Sequence, residues 1–107
     1  DSARPVLTVD ESVVPEVFAL HQNFPNPFNP TTTINYDIPE SQVVSIMIYD
    51  IMGRKVRSLV NEFQEAGYRS VRWDATDNFG RGVSAGMYVY TIQAGDFRQV
   101  RKMVLLK

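Results

Sequence analysis

The stretch Asn26-Pro27-Phe28-Asn29-Pro30-Thr31-Thr32-Thr33-Ile34-Asn35-Tyr36-Asp37-Ile38 decides how the rest of this chain reads. Its second half alternates. Ile34, Tyr36 and Ile38 fall on one face, and Thr33, Asn35 and Asp37 on the other, the period of a strand with one buried side. Its first half cannot be a helix or a central strand, because proline fixes φ and removes an N–H donor. Asn26, Pro27, Phe28, Asn29 and Pro30 therefore form a stiff loop that delivers the chain into a strand over Thr32–Ile38. Phe24 and Phe28 flank these prolines, and both rings are expected to pack down over a core.

The same division runs through the whole chain. All six prolines lie at or before Pro39, and all six glycines at or after Gly53. The front is extended and proline-stiffened, and the rest is built from glycine-punctuated hairpins. Residues 1–16 carry no sustained period and read as a linker or the tail of a preceding domain, with a short strand possible at Val6-Leu7-Thr8-Val9. Val17–Leu20 is expected as a short entering strand.

Beyond Ile38, Pro39–Gln42 is a turn. A strand follows over Val43–Asp50, with Val44, Ile46 and Ile48 inward. Met52-Gly53-Arg54 turns the chain, and Lys55–Val60 is the next strand. Asn61–Gly67 reads as a loop whose Phe63 covers one end of the core. Tyr68–Asp74 is a strand with Val71 and Trp73 on one face. Ala75–Ala85 is a long polar loop, and Gly86–Ala94 is a strand rich in aromatic and β-branched residues. Gly95-Asp96 is a two-residue hairpin of the type II′ kind, and Phe97–Leu106 returns as the last strand. Gly53, Gly86 and Gly95 are read as backbone requirements at turns. No apolar period of 3.6 is long enough for a helix. About seven short strands at this spacing predict an all-β, antiparallel, immunoglobulin-like β-sandwich, with residues 17–107 as the domain and Trp73 as its core anchor.

Composition narrows the chemistry. A net charge of −1 gives no global pull toward nucleic acid or anionic lipid. No apolar run approaches the roughly 18 residues of a membrane span, so no direct membrane insertion is expected. Asp1–Pro5 lacks the apolar core of a signal peptide, so an export signal is expected to lie upstream. The absence of cysteine removes disulfides, thiolate nucleophiles and zinc–thiolate sites. His21 is the only histidine, and it is read as an exposed or packing side chain rather than the centre of a triad. Gly80-Arg81-Gly82 lacks the helix and lysine of a phosphate loop. Asp37 and Glu40 have no cleft to shift a carboxyl pKa. No enzyme activity and no cofactor are expected.

Asp74, Asp77 and Asn78 form the best oxygen cluster. It is a weak candidate for calcium, since turn-forming through their own backbone accounts for the same residues. After Asp96 the chain carries Arg98, Arg101, Lys102 and Lys107 and no acid. That excess is either protection of an edge strand against aggregation or part of a recognition strand. The final residues, Arg101-Lys102-Met103-Val104-Leu105-Leu106-Lys107, read as a strand whose edge can be presented to a receptor by β-augmentation.

The run from Asn23 to Tyr36 closely resembles the opening of type A C-terminal sorting domains, which are read by the type IX (Por) secretion system of Bacteroidetes and related phyla. The likeness continues through Ile48-Tyr49-Asp50-Ile51-Met52-Gly53-Arg54, Val71-Arg72-Trp73-Asp74 and Gly86-Met87-Tyr88-Val89-Tyr90, and it closes on Lys102–Lys107. The middle, through Trp73-Asp74, Asp77, Gly80 and Gly86-Met87-Tyr88, is also similar to the immunoglobulin-like domain of the flagellar hook-capping protein. What the first resemblance implies is a passenger-borne address. An upstream cargo in the same chain crosses the periplasm, is recognised by the outer-membrane translocon, and is attached to the cell surface by a sortase-like peptidase or released. Cleavage would then fall within residues 1–22. Two other readings stand beside it: an accessory module that stacks sugars on Tyr36, Tyr49 or Tyr68, and a structural immunoglobulin-like domain of an extracellular or flagellar polymer.

Overall fold

The structure, a computed structural model, describes residues 14–107. The possible strand at Val6–Val9, and most of the segment read as a linker, lie outside the described residues. Seven strands follow one another: β1 (Ala19–Leu20), β2 (Thr32–Ile38), β3 (Gln42–Asp50), β4 (Lys55–Gln64), β5 (Gly67–Trp73), β6 (Gly86–Ala94) and β7 (Phe97–Leu105). They form two antiparallel sheets, one in the order β1-β2-β5 and one in the order β4-β3-β6-β7. No helix occurs among the described residues. The predicted all-β sandwich is the fold observed.

The alternation read in β2 and β3 is what builds the core. Ile34, Tyr36 and Ile38 from one sheet face Val44, Ile46 and Ile48 from the other, and all six are buried. Tyr88, Tyr90, Ile92 and Ala94 of β6 and Met103 and Leu105 of β7 complete the inner layer. Trp73 is wholly buried. Its ring meets Tyr88 edge-on at 5.4 Å and Phe28 at 5.7 Å, arrangements that favour the aromatic quadrupole. The hairpin at Gly95-Asp96 is the expected type II′, since Gly95 takes φ +61° while Asp96 stays out of the positive-φ region.

Three expectations need correction. The entering strand is shorter than Val17–Leu20, pairing only Ala19 with Asp37 and Leu20 with Tyr36. β4 does not stop at Val60. It continues through Asn61–Gln64 opposite Ser45–Gln42, and Phe63 pairs outward with Val43 and is exposed instead of covering a core end. The physical reason is a pair of bulges, at Leu59 and Val56, where β3 and β4 shift register. Each bulge breaks the period-2 pattern. Phe24 is also exposed, whereas Phe28 is buried as expected.

The strand directions sort the loops into two groups. Phe18 stacks on Phe97 at 5.2 Å, next to the turns at Glu40 and Gly95-Asp96. The chain therefore enters at the end that holds residues 39–41, 65–66 and 95–96. At the opposite end lie the proline loop 24–31, the turn 51–54, the loop 74–85 and the close of β7. This follows from the pairing of Thr32 with Trp73, Asp50 with Tyr88 and Gly86 with Leu105.

Candidate functional site

The site is built where the proline loop meets the last strand. β7 is an edge strand. The tight β6–β7 hairpin directs the backbone groups of Phe97, Gln99, Arg101, Met103 and Leu105 toward β6. Those of Arg98, Val100, Lys102 and Val104 point outward. The lower part of that outward edge is not open. Phe28 N–H donates to Val104 O at 3.0 Å, and Leu106 N–H donates to Phe28 O at 2.8 Å. Val104 N–H donates to Asn26 Oδ1 at 3.0 Å, and Gln22 Nε2 donates to Lys102 O at 2.8 Å. Loop and strand form one unit, held by a short parallel bridge between Phe28 and Leu105.

A buried polar node positions that loop. Tyr90 Oη donates to His21 O at 2.7 Å and accepts Asn23 N–H at 2.8 Å. Asn23 Nδ2 donates to Thr32 Oγ1 at 2.9 Å, and Thr32 Oγ1 donates to Pro25 O at 2.9 Å. Asn23 and Thr32 are buried and need these partners, because an unsatisfied buried polar group costs about 1–3 kcal/mol. Burial holds the Tyr90 hydroxyl above its ordinary pKa, so it remains a neutral donor. The peptides Phe24-Pro25, Asn26-Pro27 and Asn29-Pro30 are all cis.

Of the terminal basic residues, Arg101 is structural: its Nε donates to Leu20 O at 2.6 Å and ties β7 to β1. Lys102 and Lys107 are exposed, as is Leu106, while Met103 and Leu105 are buried in the core and Val104 is partly covered. The recognition set Arg101–Lys107 thus divides by face. Only Lys102, Leu106 and Lys107 are exposed.

The structure does not bring Asp74, Asp77 and Asn78 together around an ion. Asp74 accepts from Thr76 Oγ1 and lies 3.8 Å from Arg57, Asp77 closes its own turn, and Asn78 Oδ1 accepts Ser58 N–H at 2.9 Å. No group of three or more His, Asp or Glu residues arranged for a metal occurs among the described residues. His21 Nε2 lies 2.9 Å from Asp37 Oδ2 on the outer face of the smaller sheet. Among the tyrosines considered for sugar stacking, Tyr36 is buried, Tyr49 is half-buried and Tyr68 is exposed. Tyr49 and Tyr68 belong to different sheets, so no tyrosine platform forms.

One feature of this end went unread in the sequence. Asp50-Ile51-Met52-Gly53-Arg54 and Asp77-Asn78-Phe79-Gly80-Arg81 share the pattern Asp-x-x-Gly-Arg and fold into the same turn. In the first, Asp50 Oδ1 accepts Met52 N–H at 2.9 Å and Arg54 N–H at 3.0 Å, and Oδ2 takes Arg54 Nε at 2.9 Å. In the second, Asp77 Oδ1 accepts Phe79 N–H at 2.9 Å and Arg81 N–H at 3.0 Å, and Oδ2 takes Arg81 Nε at 3.3 Å. Gly53 and Gly80 take φ +83° and +81°. The backbone N–H of the arginine, first among the causes, holds each aspartate below the usual carboxylate range. The first turn displays Ile51 and Met52 at 71% and 74% exposure, and the second displays Phe79 at 81%. The repeat itself was the available signal.

Residues 22–106 match the family described as the secretion system C-terminal sorting domain. The chain belongs to that family. This sorting domain also resembles a domain of latent PorU from Porphyromonas gingivalis, with a TM-score of 0.64, 21% identity and 87% of this chain covered. PorZ from the same organism, described as an essential bacterial surface component of the type-IX secretion system, aligns at a TM-score of 0.56 and 20% identity over 84% of this chain. FlgD from Xanthomonas campestris, a hook-capping protein, aligns at 0.58 and 24% over 92% of this chain and 72% of its own. The sorting domain spans only 10% of the PorU chain and 11% of the PorZ chain. At these identities the likeness is one of fold. No curated protein matches the sequence. Membership makes this a non-catalytic sorting signal of the type IX system, carried by a protein bound for the cell surface or the extracellular space.

Proposed function

We propose that residues 17–107 are the address by which an upstream cargo, joined through residues 1–16, passes from the periplasm through the type IX outer-membrane translocon. The cargo is then attached to the surface by a sortase-like peptidase or released. We further propose that the address is read at the end of the sandwich remote from the cargo. The observation that carries this is the hydrogen-bonded union of Asn26 and Phe28 with Val104 and Leu106 at that end. Family membership supports the role, and the two Asp-x-x-Gly-Arg turns beside the union add an exposed, apolar and already hydrogen-bonded surface. A receptor that met this end would desolvate few unsatisfied backbone groups, so little of the binding free energy would be lost on ordering.

The upper part of the β7 edge, at Arg98 and Val100, receives no hydrogen bond among the described residues. β-augmentation by a receptor strand is therefore confined to that part unless the proline loop is displaced. The test is a fluorescent cargo with an inner-membrane export signal, fused ahead of residues 1–107 in a host that has a type IX system. A matched fusion lacks residues 101–107. Surface or medium fluorescence from the first fusion alone supports the address. Periplasmic retention of both, with folded cargo, contradicts it.

A further inference from the structure

The outer face of the four-stranded sheet is a regular grid. Register places Lys55, Tyr49, Val89 and Lys102 in one row across β4, β3, β6 and β7. Ser58, Met47, Thr91 and Val100 form the next row, and Asn61, Ser45, Gln93 and Arg98 the one after. Lys55, Tyr49, Met47, Arg98 and Val100 line one shallow trough on this face. None of these twelve positions is an Asp or Glu, although the chain as a whole carries one acid more than it has bases. Lys55, Arg98 and Lys102 are exposed and make no ion pair among the described residues. By contrast Asp50, Asp74 and Asp77 are each matched by an arginine elsewhere.

We propose that this face docks an acidic protein segment, with Tyr49, Met47 and Val100 as its apolar centre and Lys55, Arg98 and Lys102 as its charged rim. Charge complementarity and spacing select this partner. Three strand intervals separate Lys55 from Lys102, and four residues of one strand separate Arg98 from Lys102, each roughly 14 Å. At that spacing the three cations line a path instead of closing around one point, a pattern that an extended chain meets and a single phosphate does not fill. A second copy would set like charges against like across a two-fold axis, which is unfavourable. An extended chain with a carboxylate at about every fourth residue meets that spacing, and its backbone finds Ser45, Thr91, Gln93 and Asn61 as polar neighbours. The inference deepens the sorting role by naming the chemistry of a partner, and it rests on that reading only for its cellular meaning.

The test titrates isotope-labelled protein, residues 1–107, with a short peptide bearing glutamate at every fourth position. A glutamine-substituted peptide, inorganic phosphate and phosphatidylglycerol vesicles serve as the other probes. The expected result is amide shifts confined to Met47, Tyr49, Val89, Thr91 and Val100 with the glutamate peptide alone. They should vanish in about 0.5 M salt, where the screening length falls below about 5 Å, and weaken at least tenfold in a K55E/R98E variant whose remaining spectrum is unchanged. Equal shifts with the glutamine peptide, shifts spread over Arg54, Arg69, Arg72 and Arg81, or a response to vesicles or phosphate without one to the peptide would each overturn it. The export fusion separates the two ideas. An unexported wild-type fusion whose domain still binds the peptide sinks the sorting role and leaves the face. An exported fusion whose domain ignores the peptide does the reverse.

Discussion

The N–H of Phe28 donates to the carbonyl of Val104 at 3.0 Å, although 76 positions separate the two residues in the chain (104 − 28). This single relationship joins the two stretches that make the sequence recognisable. The proline loop is therefore more than an approach to β2, because it supplies the outer partner of the last strand. Phe28 also fills the space beside Trp73, so its ring and its backbone serve the same junction.

Phe28→Ala should cost about 3–5 kcal/mol, as for other buried aromatic residues. Asn26→Ala, at an exposed position, should cost about 1 kcal/mol, the size of one hydrogen bond. Urea denaturation measures both. Hydrogen exchange adds a local readout: in Asn26→Ala the Val104 amide should exchange faster while Ile46 and Ile92 are unchanged.

Tyr90→Phe keeps the ring packing and removes the hydroxyl that serves His21 O and Asn23 N–H. A buried N–H and a partly buried carbonyl lose their partner, so the expected loss is about 1–3 kcal/mol. Tyr88→Phe, whose hydroxyl donates only to Ser84 O, should cost less. A chemical-denaturation comparison of the two variants decides the point.

Much of this was legible in the sequence, for stated reasons. β2 and β3 alternate without interruption, so their inward residues could be named. The extent of β4 could not, because the bulges at Val56 and Leu59 change which residues face inward, and Asn61-Glu62 then look like a polar loop. Phe24 and Phe28 are equivalent in the sequence, both beside prolines. Only the backbone path, which pairs Phe24 with Thr33 at the surface and Phe28 with Leu105 over the core, tells them apart. The loop–strand union has no sequence period at all, since it joins distant residues through main-chain atoms. The twin turns are readable as a repeated Asp-x-x-Gly-Arg, although each half alone looks like an ordinary turn.

Acid should expose those turns. Asp50 and Asp77 titrate below the usual carboxylate range when folded, because backbone N–H groups favour the charged form. Their contribution to stability is complete above the unfolded carboxylate pKa, about 4, and is lost as pH falls through the lower folded values. Replacing both with alanine should flatten the decline in melting temperature below about pH 4. Tyr90 acts at the other limb. Burial raises its pKa, so its contribution is complete below the unfolded value and fades as pH rises past it.

Gly53→Ala and Gly80→Ala should each cost about 1–2 kcal/mol, the usual penalty for a side chain in the left-handed region. Nothing lies within 4 Å of an added Cβ at either site, so the penalty is conformational and not steric. Because the turns are equivalent, the two thermal shifts should agree, and a large difference would show that one turn is held by contacts outside itself.

The central claim is that the domain is an address read at the end remote from its cargo. The most direct measurement is the surface-to-periplasm ratio of the fluorescent fusion with exposed apolar residues replaced at one end or the other. Met52→Ser with Phe79→Ser alters the remote end, and Val17→Ser with Tyr68→Ser alters the cargo end. The account predicts at least a tenfold fall in the ratio for the remote pair and a near wild-type value for the other, with both domains folded. Normal export of the remote pair, or retention of the cargo-end pair alone, would contradict it.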